Sequence, residues 1–126
     1  MTTSNPRPTP RHLATGVRGE DLAARYLEDQ GLVLLSRNWR CREGELDLVA
    51  TDRRKLIVCE VKTRTSTNYG HPAEAVTAEK ASRIRRLSRQ WRTAHQVRWC
   101  PERFDIIAIT WPPGAEPTLQ HFPAAF

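Results

Sequence analysis

Two short apolar segments, Glu45 to Ala50 and Leu56 to Lys62, flank a polar turn from Thr51 to Lys55, and this pattern constrains the fold more than any other part of the chain. Segments of this length, rich in Val, Leu and Ile, read as strands, and the turn between them makes an antiparallel hairpin. Side chains alternate across a strand, so Glu60 and Lys62 are expected on one face and Cys59 and Val61 on the other. Hairpin pairing brings Asp47 to join them. Two carboxylates and an ammonium would then meet on a small sheet.

The elements around the hairpin follow from periodicity and punctuation. A first helix is expected from about Gly16 to Gln30, stopped by Gly31, which can adopt the left-handed conformation that ends helices. Ala23, Ala24 and Leu27 form its apolar stripe. Glu20 stands three, four and seven positions before them, so it projects from the inward face and needs a partner. Leu32 to Arg40 reads as a first strand. Thr63 to Pro72, polar and carrying Gly70 and Pro72, reads as a substrate loop. Thr77 can cap a second helix from Ala78 to Ala94, where Ala81, Ile84, Leu87 and Trp91 recur at helical spacing. Phe104 to Thr110 is a strongly apolar fourth strand, and Leu119 to Phe122 a short tail strand beyond a Pro and Gly break.

The order α-β-β-β-α-β, with the second helix long enough to return the fourth strand parallel to a neighbour, implies an α/β fold: a mixed central sheet flanked by helices in three layers. At 126 residues the chain fits a single domain, expected over residues 13–126 after a disordered tail of residues 1–12. That tail lacks the apolar stretch of a signal peptide, and no run is long and apolar enough to span a membrane. Three cysteines, Cys41, Cys59 and Cys100, are an odd number without paired metal spacing, which points to a reducing cytoplasm.

Lysine and arginine total 20 against 14 acidic residues, giving a net charge of +6 that favours a polyanionic partner such as nucleic acid. Lys80, Arg83, Arg85, Arg86, Arg89 and Arg92 lie on the second helix with no acid between them, so they forgo the usual helical ion pairs and are expected to contact phosphates. Trp39, Trp91, Trp99 and Trp111 are expected in the core or an interface, since nothing in the sequence places them on the basic surface. Of the four histidines none has metal spacing, and only His71, in the expected loop, is a candidate substrate contact. Asp105 and Arg103 read as a structural ion pair.

Hydrolysis of a phosphodiester needs charge stabilisation on a nonbridging oxygen, an activated water and help for the leaving oxygen, all of which a divalent cation can supply. Mg²⁺ or Mn²⁺ favours carboxylate oxygens, so Asp47, Glu60 and Glu20, with the Val61 carbonyl as a neutral ligand, form the expected metal set. Converging carboxylates repel one another, and a cation relieves that repulsion. Lys62 could orient or deprotonate the nucleophile or stabilise the phosphorane charge. The same residues are also compatible with a binding module that does not turn over.

Arg18, Gly19, Glu20; Arg37, Asn38; Gly44 to Leu48; Glu60, Val61, Lys62, Arg64; Tyr69, Gly70, Pro72, Glu74, Ala75, Val76, Lys80; and Arg103, Phe104, Asp105 together resemble the YraN family of bacterial proteins over roughly Gly16 to Thr110. That family is placed in the PD-(D/E)xK nuclease superfamily, with the restriction-endonuclease-like fold, and its helix-one Glu is similar to that of archaeal Holliday-junction resolvases. Leu46 stands where the superfamily's name places Pro. By this resemblance Glu20, Asp47, Glu60 and Lys62 would be the active-site positions of a Mg²⁺-dependent endonuclease acting on DNA, including branched or structured DNA, and a homodimer would let two sites cut two strands.

Overall fold

A computed structural model describes residues 11–66, 70–71 and 76–126, without side-chain detail for residues 11–15. Seven elements follow one another: α1 (Arg11–Asp29), β1 (Val33–Cys41), β2 (Gly44–Thr51), β3 (Leu56–Arg64), α2 (Ala78–Ala94), β4 (Glu102–Thr110) and β5 (Thr118–Phe122). They build one five-stranded sheet in the order β1-β2-β3-β4-β5. All neighbours are antiparallel except β3 and β4, which run parallel because α2 carries the chain back across the sheet. This is the expected three-layer α/β arrangement, with the tail strand as a fifth member.

Each helix covers one face. Ala23, Ala24 and Leu27 of α1 bury against Leu48, Ala50, Ile57, Cys59, Ile107 and Ile109. On the other face Ile84, Leu87 and Trp91 of α2 bury against Leu46, Val49, Leu56, Val58 and Phe104. Fully burying each of the larger side chains, Leu, Ile, Val or Phe, contributes roughly 1.5–3 kcal/mol before chain entropy is counted. A continuous apolar run such as Leu56 to Cys59 is therefore what a strand covered on both faces requires.

Local chemistry fixes the joints. Gly31, at φ +88°, ends α1, and its N–H reaches the Glu28 carbonyl while that of Leu32 reaches Leu27. In the 51–55 turn, Asp52 Oδ1 accepts from the N–H groups of Arg54 and Lys55, and the Thr51 hydroxyl donates to the Lys55 carbonyl. Thr77 caps α2 by accepting from Lys80 N–H at 3.1 Å.

Several boundaries differ from expectation. The first helix begins by Arg11 rather than Gly16, because Arg11, Leu13 and Ala14 are good helix formers and Gly16 weakens a helix without stopping it. Arg11 and His12 thus belong to α1, and the rest of the expected tail lies outside the described residues. Thr63 and Arg64 are strand rather than loop, since β3 stays paired with β4 through Arg64 and Thr110. Of the remaining loop, 67–69 and 72 lie outside the described residues. His71 sets its ring edge against Phe122, with centroids 5.1 Å apart. No helix among the described residues is long and apolar enough to cross a membrane.

Candidate active site

The site forms where β2 and β3 part. Their paired register runs from Thr51 and Leu56 up to Leu48 and Cys59, and beyond that pair β2 follows β1 instead. Parting strands leave ladder groups without partners. The Asp47 carboxylate supplies the acceptor, its Oδ2 lying 2.8 Å from the Val61 N–H. Within a strand the N–H and C=O of one residue face the same neighbour, so the Val61 carbonyl shares that edge with Asp47.

Burial raises the Asp47 carboxyl most, repulsion from Glu60 adds to it, the Val61 N–H pulls the other way, and Glu20 and Glu45 raise it further, to about 7. Asp47 therefore feels Glu60, Glu20 and also Glu45, which is not part of the expected metal set. Two cavities meet at Asp47. One, of about 510 Å³, is lined by Glu20, Asn38, Asp47, Val61 and Lys62. Its neighbour, of about 260 Å³, is lined by Glu45, Asp47, Glu60, Lys80 and Arg83. Glu60 and Lys62 were expected to point the same way, yet they border different cavities.

Glu20 owes its place to Gly19. A Cβ on Gly19 would sit 2.1 Å from the Thr63 hydroxyl oxygen, so only glycine lets α1 approach β3 this closely. The Glu20 carboxylate then accepts from Asn38 Nδ2 at 2.6 Å and from Arg37 Nη2 at 3.3 Å. Two successive strand residues reach the same partner because Asn38 is in the left-handed region, φ +51°, which breaks the alternation of β1. On the other side of Asp47, Lys80 Nζ lies 2.6 Å from Glu60 Oε2. Glu45 pairs with Arg40 at 3.0 Å.

Three carboxylates were expected to gather on one ion. Among the described residues no three His, Cys, Asp or Glu side chains stand together closely enough to hold a metal. Glu20 is drawn to Arg37 and Asn38, leaving Asp47, Glu60 and the Val61 backbone as the nearest donor set. Those residues still suit a hard divalent cation, which keeps several waters and needs only one or two carboxylates. The crowding that lifts Asp47 is the repulsion a cation would relieve, and the Lys80 ammonium shows that positive charge fits beside Glu60.

The six basic residues of α2 do not form one stripe. Lys80 and Arg83 face the acidic cavity, and Arg86 and Arg89 line a separate groove farther along. Arg85 stacks over Phe104, 5.3 Å from the ring centroid. Arg92, expected to contact nucleic acid, is instead tied to Glu102 at 3.1 Å, where Ser88 also donates. Both side chains of that pair are mostly buried, so it serves the α2–β4 packing.

Asp105, fully buried on β4, makes the expected pair with Arg103 at 2.8 Å. It also accepts from Ala124 N–H at 3.0 Å and lies 2.7 Å from His121 Nε2. Because a carboxylate only accepts, that nitrogen carries a proton, and His121 Nδ1 is hydrogen-bonded to the Tyr26 hydroxyl at 3.1 Å. This cluster joins α1, β4 and the tail away from Asp47 and Glu60.

Residues 19–109 match the family described as "Uncharacterised protein family UPF0102". The chain belongs to the UPF0102 family. Gly19, Glu20, Asn38, Asp47, Glu60, Lys62 and Lys80 all fall within the matched span. Similar UPF0102 proteins include one from Clavibacter michiganensis subsp. michiganensis, 50% identical over 83% of this chain and 89% of its own length. A UPF0102 protein from Nocardia farcinica is 47% identical over 90% of this chain and 89% of its own. One from Frankia casuarinae is 49% identical over 90% and 96%, respectively. This is the YraN-like family whose residues the sequence resembles.

Proposed function

We propose that this UPF0102 protein is a metal-dependent endonuclease of the PD-(D/E)xK superfamily that hydrolyses phosphodiester bonds in DNA, with branched or otherwise structured DNA as its substrate class. The observation that carries this reading is the Asp47 carboxyl. It is half-buried at a strand fork, raised to about 7 by desolvation and by Glu60, Glu20 and Glu45, and shares a cavity with Lys62.

Asp47, Glu60 and the Val61 carbonyl would hold Mg²⁺ or Mn²⁺, which when bound supplies charge stabilisation and an activated water. Glu20 keeps Arg37 and Asn38 turned to the cavity rim. Lys62, exposed at its mouth, either orients or deprotonates the attacking water or stabilises the charge developing on phosphorus. Lys80 balances Glu60 and, released from it, faces an incoming phosphate together with Arg83. The activity belongs in the cytoplasm, with DNA as partner and a homodimer as the working assembly, because one site cuts one strand.

A panel of branched, flapped, single-stranded and duplex DNAs with Mg²⁺ or Mn²⁺ tests this reading. Cleavage by the native chain, lost in Asp47→Asn and in Lys62→Ala with binding retained, supports it. Unchanged cleavage in both variants removes the site. A second reading is favoured by the hold of Lys80 on Glu60 and of Arg37 and Asn38 on Glu20: a nucleic-acid-binding module on the same scaffold. It predicts salt-sensitive binding without turnover.

A further inference from the structure

The groove beyond the acidic cavity has no role in the chemistry above. It measures about 490 Å³, within the roughly 300–1,000 Å³ of ligand clefts, and Trp39, Cys41, Gln90, Arg86 and Arg89 line it. Trp39 is half-buried against the α2-side core, has the His95 ring tilted beside it with centroids 6.3 Å apart, and lines the groove. Gln90 Oε1 accepts from Cys41 Sγ at 3.1 Å, which leaves the amide NH₂ of Gln90 as a donor. Arg86 and Arg89 are exposed, and neither forms an ion pair among the described residues. A flat ring, two uncompensated guanidiniums and an amide donor are what one nucleotide needs: a face to stack on, cations for phosphate and a hydrogen-bond partner for a base edge.

The groove adjoins the proposed cutting site. Gly44, which lines the acidic cavity, pairs across the β1–β2 turn with Cys41, which lines the groove. Along α2, Arg83 in the cavity precedes Arg86 by just under one helical turn and Arg89 by well under two, about 4.5 and 9 Å of rise. A strand whose phosphate lies at Asp47 and Glu60 can therefore continue along α2 into the groove within a few nucleotides. A base can stack on a side chain only when its face is exposed, so the nucleotide in the groove must be unpaired.

We infer that the Trp39–Arg86–Arg89 groove is a subsite for one unpaired nucleotide, its base on Trp39 and its phosphate between the two arginines. The substrate is thereby DNA with a single-stranded segment beside the cut. As a statement about substrate it rests on the nuclease reading; as a statement about binding it does not.

The test is binding of the full chain without divalent cations to three probes: a short oligothymidylate, the same sugar–phosphate chain lacking bases, and a duplex of equal charge. The native protein binds the base-bearing strand about tenfold more tightly than the baseless one, the effect of one stacked base. Trp39→Leu, which keeps apolar volume at the core contact, removes that preference. Arg86→Glu with Arg89→Glu, on exposed positions, weakens both single strands and lowers the slope of log affinity against log salt by about 1.4. Should Trp39→Leu not fold, the native preference and the arginine pair still decide the question.

Equal affinity of the native chain for strands with and without bases overturns the subsite. So does displacement by polyglutamate as effectively as by the oligonucleotide, which would assign the groove to an acidic protein. Cleavage of the DNA panel without base preference sinks the groove and leaves the nuclease reading standing. Base preference without cleavage does the reverse.

Discussion

Replacing Asp47 by Asn will stabilise the protein at pH 8 in the absence of divalent cations and, if the proposed nuclease function holds, abolish cleavage. Asn keeps an oxygen that can accept from Val61 N–H at the strand fork, so the substitution removes charge and little else. The native carboxyl moves from an ordinary 3.8 to about 7, because burial and the Glu60, Glu20 and Glu45 charges disfavour its ionised form. A raised carboxyl holds its proton more tightly in the folded chain. No cost therefore exists near pH 4, and the cost of ionising Asp47 grows as pH rises from about 4 to about 7. At full ionisation the displacement corresponds to about 4 kcal/mol, and relaxation around a side chain that is not fully buried brings this to roughly 2 kcal/mol. For a chain of this length that is a rise in Tm of about 6–10 °C. Thermal unfolding by circular dichroism, run in EDTA at pH 8 and near pH 4, measures it. A variant no more stable than the native protein at pH 8, or a gap of the same size at both pH values, would refute the account of Asp47 as a strained, charge-crowded group.

Lys62→Ala will leave Tm within about 1 °C, since the side chain is exposed, and on the proposed nuclease function will remove Mg²⁺-dependent cleavage in a gel assay with binding retained. Gly19→Ala will cost roughly 1–3 kcal/mol in urea unfolding, because its Cβ meets the Thr63 hydroxyl, and adding Thr63→Ala will restore part of the loss. Burial alone would raise the Asp105 carboxyl, but Arg103, the Ala124 N–H and His121 outweigh it and hold it below its ordinary value. Its contribution is present above about pH 4 and disappears as pH falls through the lowered folded value. Asp105→Asn should therefore cost roughly 2–4 kcal/mol at pH 7 in a denaturant titration, and much less in acid.

The strands, both helices and their order were legible because apolar period and punctuation agree along most of the chain. Asp47, Glu60 and Lys62 could be named because they lie on neighbouring strands only a turn apart. What stayed hidden depends on contacts between segments distant in sequence or on broken alternation. Nothing local announces that Asn38 turns left-handed and reaches Glu20, or that Lys80 folds back onto Glu60. Helical spacing showed which residues of α2 face solvent, but not that Glu102 from the next strand would claim Arg92. Gly19 could be quoted as part of a motif, while its physical reason required Thr63 to be in place.

The irregularities of β1 have one more effect. As an outer strand with Val33 and Leu35 exposed, a straight β1 would offer backbone groups and apolar side chains to any other extended chain. Its register slips between Leu34 and Ser36, and Asn38 twists it again two residues later. A strand bent twice within so few residues makes a poor template for fibril growth. The deformation that delivers Arg37 and Asn38 to Glu20 thus also guards the molecule against self-association along that border.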